Sequence, residues 1–276
     1  MSRQSAKHIP ILMYHSISDS SNPKFKRMTV LPALFERQMA YLFAQHYTPL
    51  TVTQLMQTRT EKEQHLPERP VIITFDDGFA DFFTIALPIL KKYAFSATLY
   101  ISTAFVNGQS RWMHRENETT RSMLTWEQIR EIHASGIECG AHTHTHPQLD
   151  ILSSMKSQQE IALSKQILED HLEREILSFA YPYGYHTTRV QRQVRQLGFR
   201  SACAVKYAMS TEHDDLFALP RLIVENMSDE AFIALLTRHK PIPDAPMPRL
   251  YTQMRRFGWR QVRRGSLAIE RRISYQ

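Results

Sequence analysis

A chain of 276 residues is larger than a minimal domain yet fits one large α/β barrel, so one catalytic domain plus a tail is the economical organisation. Its two cysteines, Cys139 and Cys203, each lie in a short apolar run, which excludes a disulfide-stapled scaffold and reads as buried, reduced thiols. The net charge of +7 belongs to the tail: residues 249–276 hold eight arginines against the single acid Glu270, a surplus equal to that of the whole chain, so basicity does not mark the core as a nucleic-acid binder.

The N-terminus runs through Met-Ser-Arg-Gln-Ser-Ala-Lys-His into a strand-like stretch without the apolar core or small-residue cleavage site of a leader. No later segment approaches a membrane span, and the chain is expected to be soluble and cytoplasmic. The first predicted strand covers residues 8–15 and ends on Met13-Tyr14-His15. Phe35, Met39, Leu42 and Phe43 then recur at helical spacing. Further strands are predicted at residues 71–75, 96–102, 137–141, 177–181 and 201–205, their apolar continuity indicating burial on both faces. The polar, aperiodic stretch 107–123 is a long loop expected over the active face, with Trp112 as a candidate sugar platform or a rim-packing aromatic. Thr125 and Gln128 form a capping box, residues 153–174 form a long helix, and Gly136 and Gly198 stop helices just before the next strand. Strands alternating with amphipathic helices imply a parallel sheet, as a barrel or an open sheet. Pro241, Pro243, Pro246 and Pro248 mark residues 240–248 as a linker between a domain at 8–239 and the arginine-rich tail at 249–276.

The chemistry concentrates at two strand ends. Thr74-Phe75-Asp76-Asp77-Gly78 places two carboxylates where a buried strand stops, a costly arrangement unless one binds a cation and the other is kept nearby as a base. Gly78 permits the sharp exit that turns both toward one cleft. His142-Thr143-His144-Thr145-His146 follows a second strand, with Pro147 disfavouring helix at His146. Asp77, His142 and His146 make an oxygen–nitrogen–nitrogen set that leaves a position open, as catalytic zinc sites do; His144 competes with its neighbours as a ligand but is expected to point away. Glu212-His213-Asp214-Asp215 is rich in ligand atoms but sits in a polar loop and reads as solvated.

These two motifs, complete and in order, resemble the polysaccharide deacetylases, the NodB-like carbohydrate esterases, in the branch similar to poly-N-acetylglucosamine deacetylases. The resemblance spans about residues 8–236. It implies a distorted (β/α) barrel, α/β in class and a single domain, with one divalent metal, zinc being favoured by the donor set. By the same resemblance Asp76 is the general base and Asp77, His142 and His146 hold the metal, which polarises an acetamide carbonyl and activates water. Ala180-Tyr181-Pro182-Tyr183 matches the third motif without its arginine, and the backbone N–H of Tyr183 is the implied oxyanion donor. Leu219-Pro220-Arg221 occupies the fifth motif without its histidine. The resembling branch assigns the general acid to an N-terminal Met-Tyr-His instead, here His15. Arg221 is placed to replace the missing arginine by bonding Asp76, or is a surface residue.

The expected activity is removal of an N-acetyl or N-formyl group from an amino sugar of a glycan or a lipid-linked sugar. The alternative is a noncatalytic carbohydrate-binding or regulatory protein on a decayed esterase scaffold. In residues 249–276, Tyr251, Met254, Phe257, Trp259 and Val262 interleave with the arginines, a mix suited to peripheral contact with anionic lipid at the inner membrane face; no nucleic-acid partner is expected.

Overall fold

A computed structural model describes residues 8–61 and 65–237; the predicted linker and the arginine-rich tail lie outside the described residues. The chain forms strands β1 (Ile11–Tyr14), β2 (Ser16–Ile17) and β3 (Thr29–Val30), helix α1 (Pro32–Ala44), β4 (Thr48–Leu50), α2 (Val52–Thr60) and β5 (Pro70–Phe75). A π-helical turn at Phe82–Ala86 runs into α3 (Leu87–Lys92), followed by β6 (Thr98–Ile101), α4 (Trp126–Ala134), β7 (Glu138–Ala141) and α5 (Ser154–Leu172). The last elements are β8 (Ser178–Ala180), α6 (Thr188–Gln196), β9 (Ser201–Cys203), β10 (Leu222–Ile223) and α7 (Asp229–Leu236).

The main sheet is parallel throughout, in the order β10-β1-β5-β6-β7-β8-β9. One edge of β5 is shared: its lower residues Pro70–Ile72 pair with β4, and Thr74 and Phe75 pair with β6. The sheet curls shut through a single bent segment. Leu219 bridges Cys203 of β9, and three residues later β10 pairs with β1. First and last strands are therefore neighbours, as a distorted barrel requires.

Strand periodicity sorts the side chains into two cores. Leu12, Tyr14, Ile73, Phe75, Leu99, Cys139, Ala141, Phe179, Ala202 and Leu222 point outward and bury α1, α4 and α5 through Phe35, Met39, Leu42, Ile129, Ile132, Ile161 and Leu168. Ile11, Ile72, Tyr100, Ala180 and Cys203 take the alternate phase and fill the barrel lumen. Extending that phase one residue past the strand ends puts His15, Asp76 and His142 on the lumen side, and within the closing segment it puts Arg221 there too. The barrel has room for Tyr100 only because its neighbour is Gly140: a Cβ there would lie 2.6 Å from two Tyr100 ring carbons and 2.8 Å from the Ser178 hydroxyl.

The capping box at Thr125 and Gln128 forms, and Gly136 and Gly198 adopt φ of +86° just past α4 and α6. Short or mixed-polarity strands β2, β3, β4 and β10 carry no period long enough to read, and were not anticipated. Phe43 departs from its predicted face: Phe35, Met39 and Leu42 are buried, whereas Phe43 is 57% exposed, stacked at a tilt on Tyr93. No helix of the described residues is long and apolar enough to cross a membrane.

Candidate active site

The strands of the main sheet are parallel and end at one rim, so the residues just beyond them converge. The Asp76 N–H donates to the Tyr14 carbonyl (3.0 Å), which sets His15 beside Asp76. The His142 N–H donates to Ile101 (3.0 Å), bringing the histidine turn up to β6. A cavity of about 350 Å³ opens over this rim, lined by His15, Asp76, Asp77, His142, His146 and Tyr183.

The two adjacent carboxylates, both buried, are compensated differently. Arg221, fully buried, grips Asp76 in a two-pronged pair: Nη1 donates to Oδ1 and Nη2 to Oδ2, each at 2.7 Å. The guanidinium is itself held by the Thr74 hydroxyl (3.2 Å) and the Ala204 carbonyl (3.2 Å), over the Tyr100 ring at 5.6 Å. Burial alone would raise the Asp76 carboxyl; Arg221 and His142 more than offset it and hold Asp76 below its ordinary range. The surface-arginine alternative for Arg221 is thereby excluded.

Asp77 reaches the same cleft because its backbone takes φ +78°, followed by Gly78 at +86°. Its Oδ1 lies 3.1 Å from His146 Nε2 and 3.5 Å from His142 Nε2. His142 Nδ1 donates to the Ala180 carbonyl (2.8 Å), which fixes the tautomer and leaves the Nε2 lone pair facing Asp77. A neutral His142 therefore presents a lone pair to a carboxylate oxygen that is buried without a hydrogen-bond donor. A cation among Asp77, His142 and His146, whose ligand atoms all fall within 4.8 Å of one another, resolves this mismatch, so the donor set fits a divalent metal.

His144 is turned away: its Nδ1 is hydrogen-bonded to the Thr103 hydroxyl at 2.9 Å. His146 takes φ +56°, not the extended conformation a following proline favours, with its N–H donating to the Thr143 hydroxyl (3.0 Å). The His146 ring sits between Trp112 (5.2 Å) and Tyr183 (4.8 Å). Trp112 thus packs on His146 and also lines the cavity. Tyr183 adopts φ +58° and is 47% exposed at the cleft mouth. His15 is half-buried, with no hydrogen bond to its ring among the described residues. Burial pushes its pKa below the ordinary histidine value, against the pull of Asp77 and Asp76.

The long loop 107–123 does lie over this face. Met113 and Met123 join Phe25 and Phe79 in a small apolar cluster, and Arg121 ties the wall together through Asp81 (3.3 Å), Ser16 (2.9 Å) and the Ser20 carbonyl (3.1 Å). Lys24, Phe25, Arg27, Glu116 and Tyr185 also line the cavity and were not anticipated, because they sit in aperiodic segments with no motif to mark them. The Glu212-His213-Asp214-Asp215 stretch stays outside the cavity; Glu212, His213 and Asp215 are exposed.

The family model for polysaccharide deacetylase matches residues 63–202, half of the chain. The chain belongs to the polysaccharide deacetylase family. Its members hydrolyse amide carbon–nitrogen bonds, and the distorted barrel is the family's fold. YxkH of Bacillus subtilis is 29% identical over 235 residues, covering 84% of this chain and 77% of that protein. A poly-β-1,6-N-acetyl-D-glucosamine N-deacetylase of Staphylococcus aureus is 25% identical over 229 residues, covering 79% of this chain and 74% of its own. Among solved structures, the Streptococcus pyogenes deacetylase PplD in complex with acetate superposes with a TM-score of 0.74 at 26% identity, over 85% of this chain and all of that one.

The Arg221–Asp76 pair predicts a change of sign in acid stability. In the wild type the Asp76 pKa is depressed, so its contribution is present above the unfolded carboxylate value near 4 and is lost as pH falls through the native one. In Arg221→Met the paired guanidinium is lost and burial prevails over the remaining groups and raises that pKa, so the variant loses stability as pH rises through about 4. Urea unfolding should show a deficit that grows from pH 4 to pH 7, reaching roughly 3–5 kcal/mol; a deficit independent of pH would contradict the pairing.

Proposed function

We propose that this protein is a metal-dependent deacetylase that removes an N-acetyl group from an amino sugar within a polysaccharide, with Asp76 as general base and His15 as general acid. The observation that carries the reading is the division between the adjacent carboxylates: Asp76 neutralised by Arg221, and Asp77 left facing two imidazole nitrogens. A divalent cation, zinc by its fit to one oxygen and two nitrogens, supplies Lewis-acid polarisation of the scissile carbonyl and acidifies water when held by Asp77, His142 and His146.

The chain's own groups take the remaining roles. Asp76, ionised by its pairing and fixed in orientation by both prongs of Arg221, accepts the proton of the attacking water. His15 lies beside the two aspartates on the cavity wall, their charges favour its protonated form against burial, and its ring makes no hydrogen bond among the described residues, which leaves it to donate to the departing sugar amine. The Tyr183 backbone N–H serves the oxyanion. The Staphylococcus aureus relative, named for a poly-β-1,6-N-acetyl-D-glucosamine substrate, favours an N-acetylated glucosamine polymer, and acetyl over formyl. Against a noncatalytic carbohydrate binder stands Arg221: the missing motif arginine has a replacement holding the base, a device that binding alone does not require.

The reading extends to a cytoplasmic protein in peripheral contact with anionic lipid through residues 249–276, and to lipid-linked sugars as an alternative substrate. The concentration of the net charge in that segment supports it. Deleting residues 249–276 should abolish co-sedimentation with anionic vesicles; undiminished binding would sink the membrane contact.

Asp76→Asn and His15→Ala should each lower amine release from N-acetylglucosamine oligomers by roughly 10²–10⁴-fold while one metal per chain is retained. Full activity in Asp76→Asn would overturn the base assignment, and a metal-free His15→Ala protein would make His15 a ligand.

A further inference from the structure

The turn that carries both histidines is an unfavourable piece of backbone. Thr143, β-branched, takes φ +69° and His146 takes φ +56°, conformations that persist only where the surroundings enforce them. One side of the turn is held by the N–H of Thr103 on the Thr143 carbonyl (3.3 Å) and that of Ala104 on the His144 carbonyl (2.9 Å). The other side rests on one residue of α5. The two carboxylate oxygens of Glu160 divide the work: Oε2 accepts from the N–H groups of His144 (3.0 Å) and Thr145 (2.7 Å), and Oε1 accepts from the Thr145 hydroxyl (2.6 Å).

Those partners, His144 and Thr145, are two of the three residues between the candidate ligands His142 and His146. Glu160 is half-buried and makes no ion pair among the described residues, so the turn's own donors are what its carboxylate is matched to. Nothing in the sequence marks it, since a glutamate on a long polar-faced helix reads as a solvated position.

We propose that Glu160 is a positioning residue for the metal site: it locks the 143–146 turn so that His142 and His146 present their Nε2 atoms to Asp77 before the metal arrives. Preorganisation of this kind acts on metal affinity and on the geometry of the bound ion without touching substrate. The inference rests on the metal-dependent reading above, and the test separates the two.

The full-length protein, stripped of metal, is titrated with zinc against a chromophoric chelator, and the visible spectrum of its cobalt(II) form is recorded. The wild type should take one ion per chain. Glu160→Ala should bind zinc roughly 10–100-fold more weakly and show an altered cobalt spectrum, and Glu160→Gln, which keeps an amide oxygen as acceptor, should fall between the two. A Glu160→Ala protein that fails to fold leaves Glu160→Gln to decide by the same readouts. Zinc affinity and cobalt spectrum unchanged in the variants, beside tight binding by the wild type, overturn the positioning role alone. A wild type that takes no divalent ion overturns the metal reading and this inference with it.

Discussion

Burying Asp76 and Asp77 side by side at the end of β5 places two negative charges where either would cost several kcal/mol unpaired, and the rest of the site answers that constraint. Asp76 is answered from inside the protein, by a guanidinium that comes from the far end of the chain and is itself fully buried. That pairing is why the barrel must close: Arg221 sits one residue before β10, and only the β10–β1 junction brings it under the base. Among the described residues Asp77 is faced by two imidazoles, His142 and His146, and the three donor atoms are close enough to share a cation.

The two answers have opposite consequences for chemistry. A two-pronged guanidinium pair keeps Asp76 ionised and immobile, as the proposed base role requires. The other set stores strain. Asp77, Thr143, His146 and Tyr183 all adopt positive φ around one cavity, none of them glycine, and each must be held there by its neighbours. Tyr183 and Trp112 contribute by gripping the His146 ring, and the apolar cluster of Phe25, Phe79, Met113 and Met123 gives the overlying loop a core of its own.

Much of this was legible because strand periodicity extends past the strand ends. In β1, β5 and β7 the lumen phase falls on His15, Asp76 and His142, and the same alternation around Leu222 puts Arg221 inside. Motif spacing pointed to Asp77, His142 and His146, which the fold brings together, and a fully matched pair of motifs pointed to the family. What could not be read lies in segments without period. The two-residue strands β2, β3 and β10 are shorter than any pattern, and the wall formed by Lys24, Phe25 and Arg27 is a loop whose place depends on long-range contacts with Arg121 and Phe79. Phe43 shows the reverse failure, where helical spacing marked a face one position too wide.

Thermal unfolding of the wild type, Asp76→Asn and Asp77→Asn with increasing zinc tests this division of labour most directly, because an ion bound only by the folded state raises the melting temperature with its concentration. The wild type and Asp76→Asn should both be stabilised progressively by zinc, and Asp77→Asn should not respond. Equal loss of the response in both variants, or none in the wild type, would contradict the separate compensation of the two carboxylates.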